Sequence, residues 1–264
     1  MLELFHNDMS TCSQKVRLAL AEKGLDWTDH HLNLRAADQQ KLDYLALNPN
    51  GVVPTIRDYG TVVIESTVIN EYLDDAYPAP PLRPEDASAR SRMRLWTKQL
   101  DEGLHAATGV LSTCIAFRHQ HLNGKTTEEI EAYLARMPDA AKRERQTENI
   151  FKGVDFKFFP AAVRRFDKLL ADMEAELSRS VWLAGADYSL ADIAYTPYAV
   201  RLYHLQLRGM WDERPHYADW YRRLIWRPAF KTAITDWINP GYLEIMEPKG
   251  RETWPRVREI LATN

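Results

Sequence analysis

The run Pro78-Ala79-Pro80-Pro81-Leu82-Arg83-Pro84 divides the chain into two stretches of different periodicity. Prolines this dense can neither continue a helix nor sit inside a sheet, so the run reads as a stiff linker and a domain boundary. Before it, short apolar strands alternate with amphipathic helices. After it, every periodic segment is helical. The 264 residues suffice for two packed cores. The chain is therefore expected to form an α/β domain over residues 1–78, a linker over 79–86 and an all-helical domain over 87–264.

In the first stretch, Leu2 to Phe5 is a short apolar strand. Thr11 is expected to cap the first helix, with Gln14 three residues later completing a capping box. Val16, Leu18, Ala19, Leu20 and Ala21 give this helix a buried face, and Lys23-Gly24 ends it. Trp27 to Leu34 reads as a second strand, and Asp38 to Leu47 as a short helix stopped by Asn48-Pro49. Thr55 to Arg57 and Thr61 to Ile64 form a hairpin across Asp58-Tyr59-Gly60, and Ser66 to Tyr77 is a third helix. The order βαβαββα is that of a thioredoxin-like α/β unit. In the second stretch, helical periodicity covers Ala87 to about His119, Thr126 to Gln146 and Phe156 to Leu177. Ser189-Leu190-Ala191-Asp192 is a capping box opening a helix to about Leu207. Helices over Pro215–Ile225 and Pro228–Trp237 follow, then a proline-containing tail with a short last helix near Arg251 to Leu261.

The net charge of −3, with basic residues scattered among acidic ones, predicts neither a nucleic-acid stripe nor a polybasic membrane patch. Cys12 and Cys114 are too far apart for a disulfide framework, which fits a reducing cytoplasm. There is no secretory leader pattern and no apolar run long enough to span a bilayer. On a helix, His119 and His121 point to different faces, so no metal site is expected.

Three motifs carry chemistry. Ser10-Thr11-Cys12-Ser13-Gln14-Lys15-Val16-Arg17 sets hydroxyls and a thiol at a helix N-terminus, where the dipole favours a thiolate. With Thr11 as the cap, the Ser10 hydroxyl is left to donate to a bound thiol and lower its pKa. Position 15 is Lys15, so Cys12 lacks the second cysteine of a dithiol motif and is limited to mixed or intermolecular disulfides. In Asn48-Pro49-Asn50-Gly51-Val52-Val53-Pro54-Thr55, the Val53-Pro54 bond is a candidate cis peptide. A tight turn there would offer the Val53 backbone to an extended peptide ligand. Glu65-Ser66 begins a helix, where free N–H groups and the Ser66 hydroxyl can hold a carboxylate and Glu65 an ammonium. A γ-glutamyl end presents that pair of charges.

Together these motifs resemble the glutathione site of cytosolic glutathione transferases, and the helical remainder is similar to their second domain. The Ser10-Thr11-Cys12-Ser13 start is similar to zeta-class enzymes (maleylacetoacetate isomerases) and tetrachlorohydroquinone dehalogenases. The stretch from Glu65 through Tyr72-Leu73-Asp74-Asp75, with Leu82-Arg83-Pro84 and Met93-Arg94-Leu95-Trp96-Thr97-Lys98, resembles bacterial β-aryl etherases. The resemblance implies glutathione as cosubstrate, Ser10 as activator of its thiol, and Cys12 as a resolving thiol if the chemistry is of the dehalogenase kind. It implies glutathione contacts from Gln39, Gln40 or Lys41, from Val53 with Pro54, and from Glu65 and Ser66. It further implies a homodimer in which Asp101 reaches the partner's glutathione. A stripe of Met93, Trp96 and Leu100, rimmed by Arg90, Arg94 and Asp101, is the expected interface. The helix from Leu104 to Phe117 and Tyr195 or Tyr198 are expected to line an apolar pocket for an aromatic electrophile. The expected reaction is displacement of phenoxide or halide by the thiolate. The alternatives are a glutathione-dependent reductive dehalogenase or cis-trans isomerase using Cys12, and a non-catalytic binding protein of the same fold.

Overall fold

The computed structural model describes residues 1–137 and 139–263. Its described elements begin with strand β1 (Leu2–His6), helix α1 (Thr11–Glu22), strand β2 (Thr28–His31), a 3₁₀ turn (Asp38–Gln40), helix α2 (Leu42–Leu45), strands β3 (Thr55–Asp58) and β4 (Thr61–Ile64), and helix α3 (Ser66–Ala76). The order βαβαββα is present. The sheet runs β2-β1-β3-β4, with β1 and β2 parallel and the other two pairs antiparallel. Leu2, Leu4 and His6 share the buried face of β1. The second strand is shorter than expected: the Leu32 amide still donates to the His6 carbonyl (2.7 Å), but Asn33 and Leu34 lie outside the strand. The expected helix over Asp38–Leu47 is broken at Lys41, whose extended backbone (φ −69°, ψ 145°) separates the 3₁₀ turn from α2.

The linker is tied down by a buried cation. Lys23 Nζ donates to the carbonyls of Tyr77 (2.7 Å) and Pro80 (2.9 Å) and pairs with Asp74 (2.6 Å). Asp74 also accepts the Leu82 amide (2.8 Å) and Arg83 Nε (2.7 Å). So Lys23 does more than complement the end of α1: it fixes where the chain leaves α3.

The helices that follow are α4 (Ala87–Gln99), α5 (His105–Ser112), α6 (Arg118–Leu122), α7 (Thr127–Ala135), α8 (Ala140–Lys152), α9 (Phe159–Leu177), α10 (Leu190–His204), α11 (Pro215–Ile225), α12 (Pro228–Ala233) and α13 (Pro240–Ala262). The continuous periodicity of 87–119 is thus interrupted once, between α4 and α5, whereas α5 continues into α6 through a π-helical turn (Thr113–Phe117). Gly103, at φ 112°, and a non-helical Glu102 kink the first junction. The Thr126–Gln146 stretch is likewise two helices, and position 138 between them lies outside the described residues. The tail differs most: Pro248 and Pro255 sit inside the 23-residue helix α13 instead of ending it. The carbonyls they leave without a helical donor belong to exposed residues, Glu244 and Arg251, where water can take the place of the missing N–H.

The chain forms two compact units. One comprises residues 1–98, 176–199 and 218–239, the other 99–175, 200–217 and 240–264. The first is organised around the sheet and around Asp192, a buried carboxylate at the start of α10. Asp192 accepts the amides of Leu183 (3.1 Å) and Ser189 (3.0 Å), the Ser189 hydroxyl (3.2 Å) and Trp220 Nε1 (2.9 Å). Tyr195 and Tyr198 are core residues, each 1 % exposed, and the Tyr195 hydroxyl donates to the Trp96 carbonyl (2.8 Å). That corrects their assignment to a substrate pocket. In the second unit, α13 packs Gly250 so closely on the Leu205 backbone that a Cβ would lie 2.0 Å from its carbonyl oxygen. No described helix is long and apolar enough to cross a membrane.

Candidate functional site

Three loops meet at one rim of the sheet. Strand register pairs Phe5 with Thr55 and Thr55 with Ile64. The C-terminal end of β1, the start of β3 and the end of β4 are therefore neighbours. Ser10 follows the first of these, Val53-Pro54 precedes the second, and Glu65-Ser66 follows the third. Helices α1 and α3 are joined behind the rim: Lys15 Nζ lies 3.0 Å from Thr67 Oγ1, and Asn70 Nδ2 donates to the Lys15 carbonyl (3.3 Å).

Ser10, not Thr11, caps α1. Its backbone is extended (φ −68°, ψ 122°) and its Oγ accepts the Ser13 amide over 3.3 Å. Thr11 is instead the first helical residue and is buried. Two adjacent hydroxyls could each have capped this helix, and the pattern with Gln14 favoured the wrong one. The capping bond uses an Oγ lone pair, so the Ser10 hydroxyl proton remains available to a thiolate. Cys12 is half-buried in the first turn of α1. Burial pushes the Cys114 thiol up to about 12, and its Sγ faces Asn149.

The loop before β3 is rigid for reasons the sequence only partly displayed. Asn48, fully buried, donates to the Val52 carbonyl (2.8 Å) and Thr55 Oγ1 (3.1 Å) and accepts the Asn50 amide (3.1 Å). The Tyr44 hydroxyl also donates to the Val52 carbonyl (2.6 Å). Gly51, at φ 59°, lets the loop approach Gln39, whose carbonyl would lie 3.3 Å from an added Cβ. This brings Gln39 beside the turn, whereas Lys41 is exposed and paired with Asp38 at 2.8 Å. Gln40 is half-buried at the end of the 3₁₀ turn. The Val53-Pro54 bond is cis, and Val53 and Pro54 are buried. Among the described residues, no hydrogen bond is made by the Val53 peptide groups.

Glu65 adopts φ 67°, ψ 109°, a conformation that L-residues rarely take and that occurs where surrounding structure over-determines it. Its exposed carboxylate accepts from Asn50 Nδ2 (3.4 Å). Ser66 opens α3, and among the described residues no hydrogen bond reaches its side chain. The first-turn amides of α3 and the Ser66 hydroxyl are groups that can hold an anion, beside an exposed carboxylate.

Asp101 is exposed on the kinked turn before α5, in the second unit. Met93, Trp96 and Leu100 are buried within the chain at 0 %, 9 % and 0 % exposure. They offer no apolar stripe to a second copy, and the expectation that they form an interface is corrected. Sequence reasoning also missed Arg17, which is buried in the first unit and bonded to the backbone of Asn7 and Asp8. Only its place on the helical wheel, among apolar residues, hinted at this.

Two family models match: residues 9–76 match the glutathione S-transferase N-terminal domain, and residues 139–223 the glutathione S-transferase C-terminal domain. The chain is 27% identical to glutathione S-transferase TCHQD of Arabidopsis thaliana, covering 98% of this chain and 99% of that one. It is 29% identical to the protein LigF of Sphingobium sp. strain SYK-6, over 87% of this chain and 91% of LigF. The crystal structure of β-etherase LigF superposes with a TM-score of 0.79 at 27% identity, covering 89% of this chain and 99% of that structure. A theta-class glutathione S-transferase from Xanthomonas axonopodis pv. citri, solved with glutathione bound, has a TM-score of 0.63 at 23% identity over 88% of this chain and 96% of its own. The chain belongs to the glutathione S-transferase family and is a glutathione transferase.

Proposed function

We propose that glutathione lies along the rim of the sheet with its thiol at Ser10. The observation that carries this is the register that makes the Ser10, Val53 and Ser66 loops neighbours. In this reading the γ-glutamyl carboxylate takes the Ser66 hydroxyl and the first-turn amides of α3, and Glu65 takes the ammonium. The Val53 peptide pairs with the ligand backbone as an added strand would. Gln39 is placed to contribute from the neighbouring turn; Gln40 and Lys41 are further candidates. The Ser10 hydroxyl donates to the thiolate and stabilises it. A free thiol with pKa about 8.5 becomes mostly thiolate at neutral pH after a shift of ~2 units.

The second substrate is an aromatic ether. The thiolate attacks the carbon bearing the aryloxy group, an S–C bond forms as the C–O bond breaks, and the phenoxide leaves and is protonated by water. Holding both reactants together supplies much of the acceleration. Similarity to LigF over most of both chains favours this substrate class. Glutathione-dependent turnover of a β-aryl ether, with release of the phenol and a thioether product of the expected mass, tests it. Absence of thioether with any aryl ether or aryl halide would overturn it.

The second reading uses Cys12, and its position in the first turn of α1, two residues after Ser10, favours it. There the enzyme is a reductive dehalogenase or an isomerase. Replacement by serine separates the two: a thioether-forming enzyme keeps its turnover in Cys12→Ser, and an enzyme that resolves a mixed disulfide loses it. The functional assembly is proposed to be a homodimer, with Asp101 directed to the partner's glutathione. Light scattering that shows a fully active monomer at micromolar concentration removes that part.

A further inference from the structure

Arg17 is the most enclosed guanidinium of the first unit, at 1 % exposure, and three of its hydrogen bonds go to the consecutive residues His6, Asn7 and Asp8. Nη1 donates to the Asn7 carbonyl (2.9 Å) and to His6 Nδ1 (2.9 Å), and Nη2 donates to the Asp8 carbonyl (2.8 Å). Nε donates to the carbonyl of Ala233, at the end of α12 (2.9 Å), and the Trp237 ring lies over the guanidinium at 5.0 Å. His6 accepts from Arg17 at Nδ1, so its proton is on Nε2, which donates to Asp29 (2.7 Å). On the far side of the loop, Asn239 Nδ2 donates to Asp8 Oδ2 (2.9 Å).

The residue whose carbonyl Arg17 grips, Asn7, leads to Ser10 by a short path. The Asn7 amide donates to Ser13 Oγ (3.2 Å), and the Ser13 amide donates to Ser10 Oγ (3.3 Å). Asn7 and Ser13 are buried, at 4 % and 0 % exposure, so water cannot replace these bonds. The path runs from the guanidinium to the Asn7 carbonyl, through the Asn7 Cα to its amide, and from there amide to hydroxyl twice.

We infer that Arg17 is a positioning residue for the Ser10 hydroxyl, acting through residue Asn7 and Ser13 and anchored by the Ala233–Asn239 segment. This rests on the reading of Ser10 as thiol activator. A planar fork is needed because carbonyls of consecutive residues must be held at once while a third bond reaches Ala233. A lysine keeps the charge but can hold only part of that set. Small displacements of a group that must meet a reacting atom cost up to ~100-fold in rate, so the loop's register matters even without a direct contact.

The test is the pKa of the thiol of enzyme-bound glutathione, read from thiolate ultraviolet absorbance, in Arg17→Lys, Ser13→Ala, Ser10→Ala and the two double variants with Ser10→Ala. Arg17→Lys and Ser13→Ala are each expected to raise that pKa by roughly one unit and cut kcat about tenfold, with KM for glutathione changed less than about threefold. In the Ser10→Ala background both are expected to add nothing, because the group they position is gone. An unchanged thiol pKa in Ser10→Ala would sink the assignment of Ser10 itself. A raised pKa in Ser10→Ala with unchanged values in Arg17→Lys and Ser13→Ala, or equal added effects in the Ser10→Ala background, would overturn the role of Arg17 alone. Should Arg17→Lys fail to fold, Ser13→Ala, which removes only the middle link, decides the matter by the same readings.

Discussion

Trp220 donates its indole N–H to Asp192 over 2.9 Å, although 28 positions separate them. The same carboxylate holds the Leu183 amide and both the amide and hydroxyl of Ser189. It thus joins the turn before α10, the first turn of α10 and α11. Asp192→Ala leaves these donors buried without an acceptor, and the expected loss of stability is ~3–5 kcal/mol. Chemical denaturation with the glutathione site assayed in parallel checks it. The midpoint is expected to collapse, while any folded fraction retains glutathione affinity.

Ser10 both starts α1 and, in the proposed mechanism, faces the thiol. Ser10→Ala removes both functions: about 1 kcal/mol of cap energy and at least ~10-fold in turnover. Ser10→Asp restores a good cap acceptor but sets a negative charge against the thiolate. Its melting temperature is expected near wild type and its turnover at or below that of Ser10→Ala. Thermal melts and initial rates on both variants separate helix capping from thiol activation.

In the proposed binding mode Glu65 and Ser66 contact a part of glutathione remote from the reacting atom, so they bind ground state and transition state alike. Ser66→Ala and Glu65→Gln are expected to raise KM for glutathione by roughly 5- to 30-fold, with kcat changed little. Calorimetric titration with glutathione reads the same loss directly. Wild-type affinity in both variants would place the γ-glutamyl site elsewhere.

Acid should loosen both units for a common reason. Burial, then the charge of Arg17, pushes His6 down to about 4; burial, then Arg201, pushes His204 down to about 4. The unfolded chain, with an ordinary histidine pKa of about 6.5, therefore binds protons in this interval that the folded chain refuses. The stability each neutral histidine contributes is fully present above pH 6.5 and is lost as pH falls toward 4, by up to about 3 kcal/mol per site. Urea midpoints at a series of pH values should fall across this window, and the decline should be shallower in His204→Gln.

The βαβαββα order and the candidate cis bond at Val53-Pro54 were legible because each depends on neighbours in sequence: alternation of apolar residues and turn chemistry at Asn48 to Pro54. The same locality misplaced the first cap, since Thr11 with Gln14 satisfies the pattern as well as Ser10 does. The choice was made by Ser13, whose amide goes to Ser10 and whose hydroxyl is taken by Asn7. Local rules also ended the chain's last helix at prolines that α13 absorbs, because the carbonyls they orphan belong to exposed residues. Sequence alone offered the candidates for glutathione chemistry. Tertiary structure decided which loops stand side by side, through the register of β1, β3 and β4, and what holds them there. Arg17 finds Ala233 across 216 positions, and no periodicity records a contact made by chain closure over that distance.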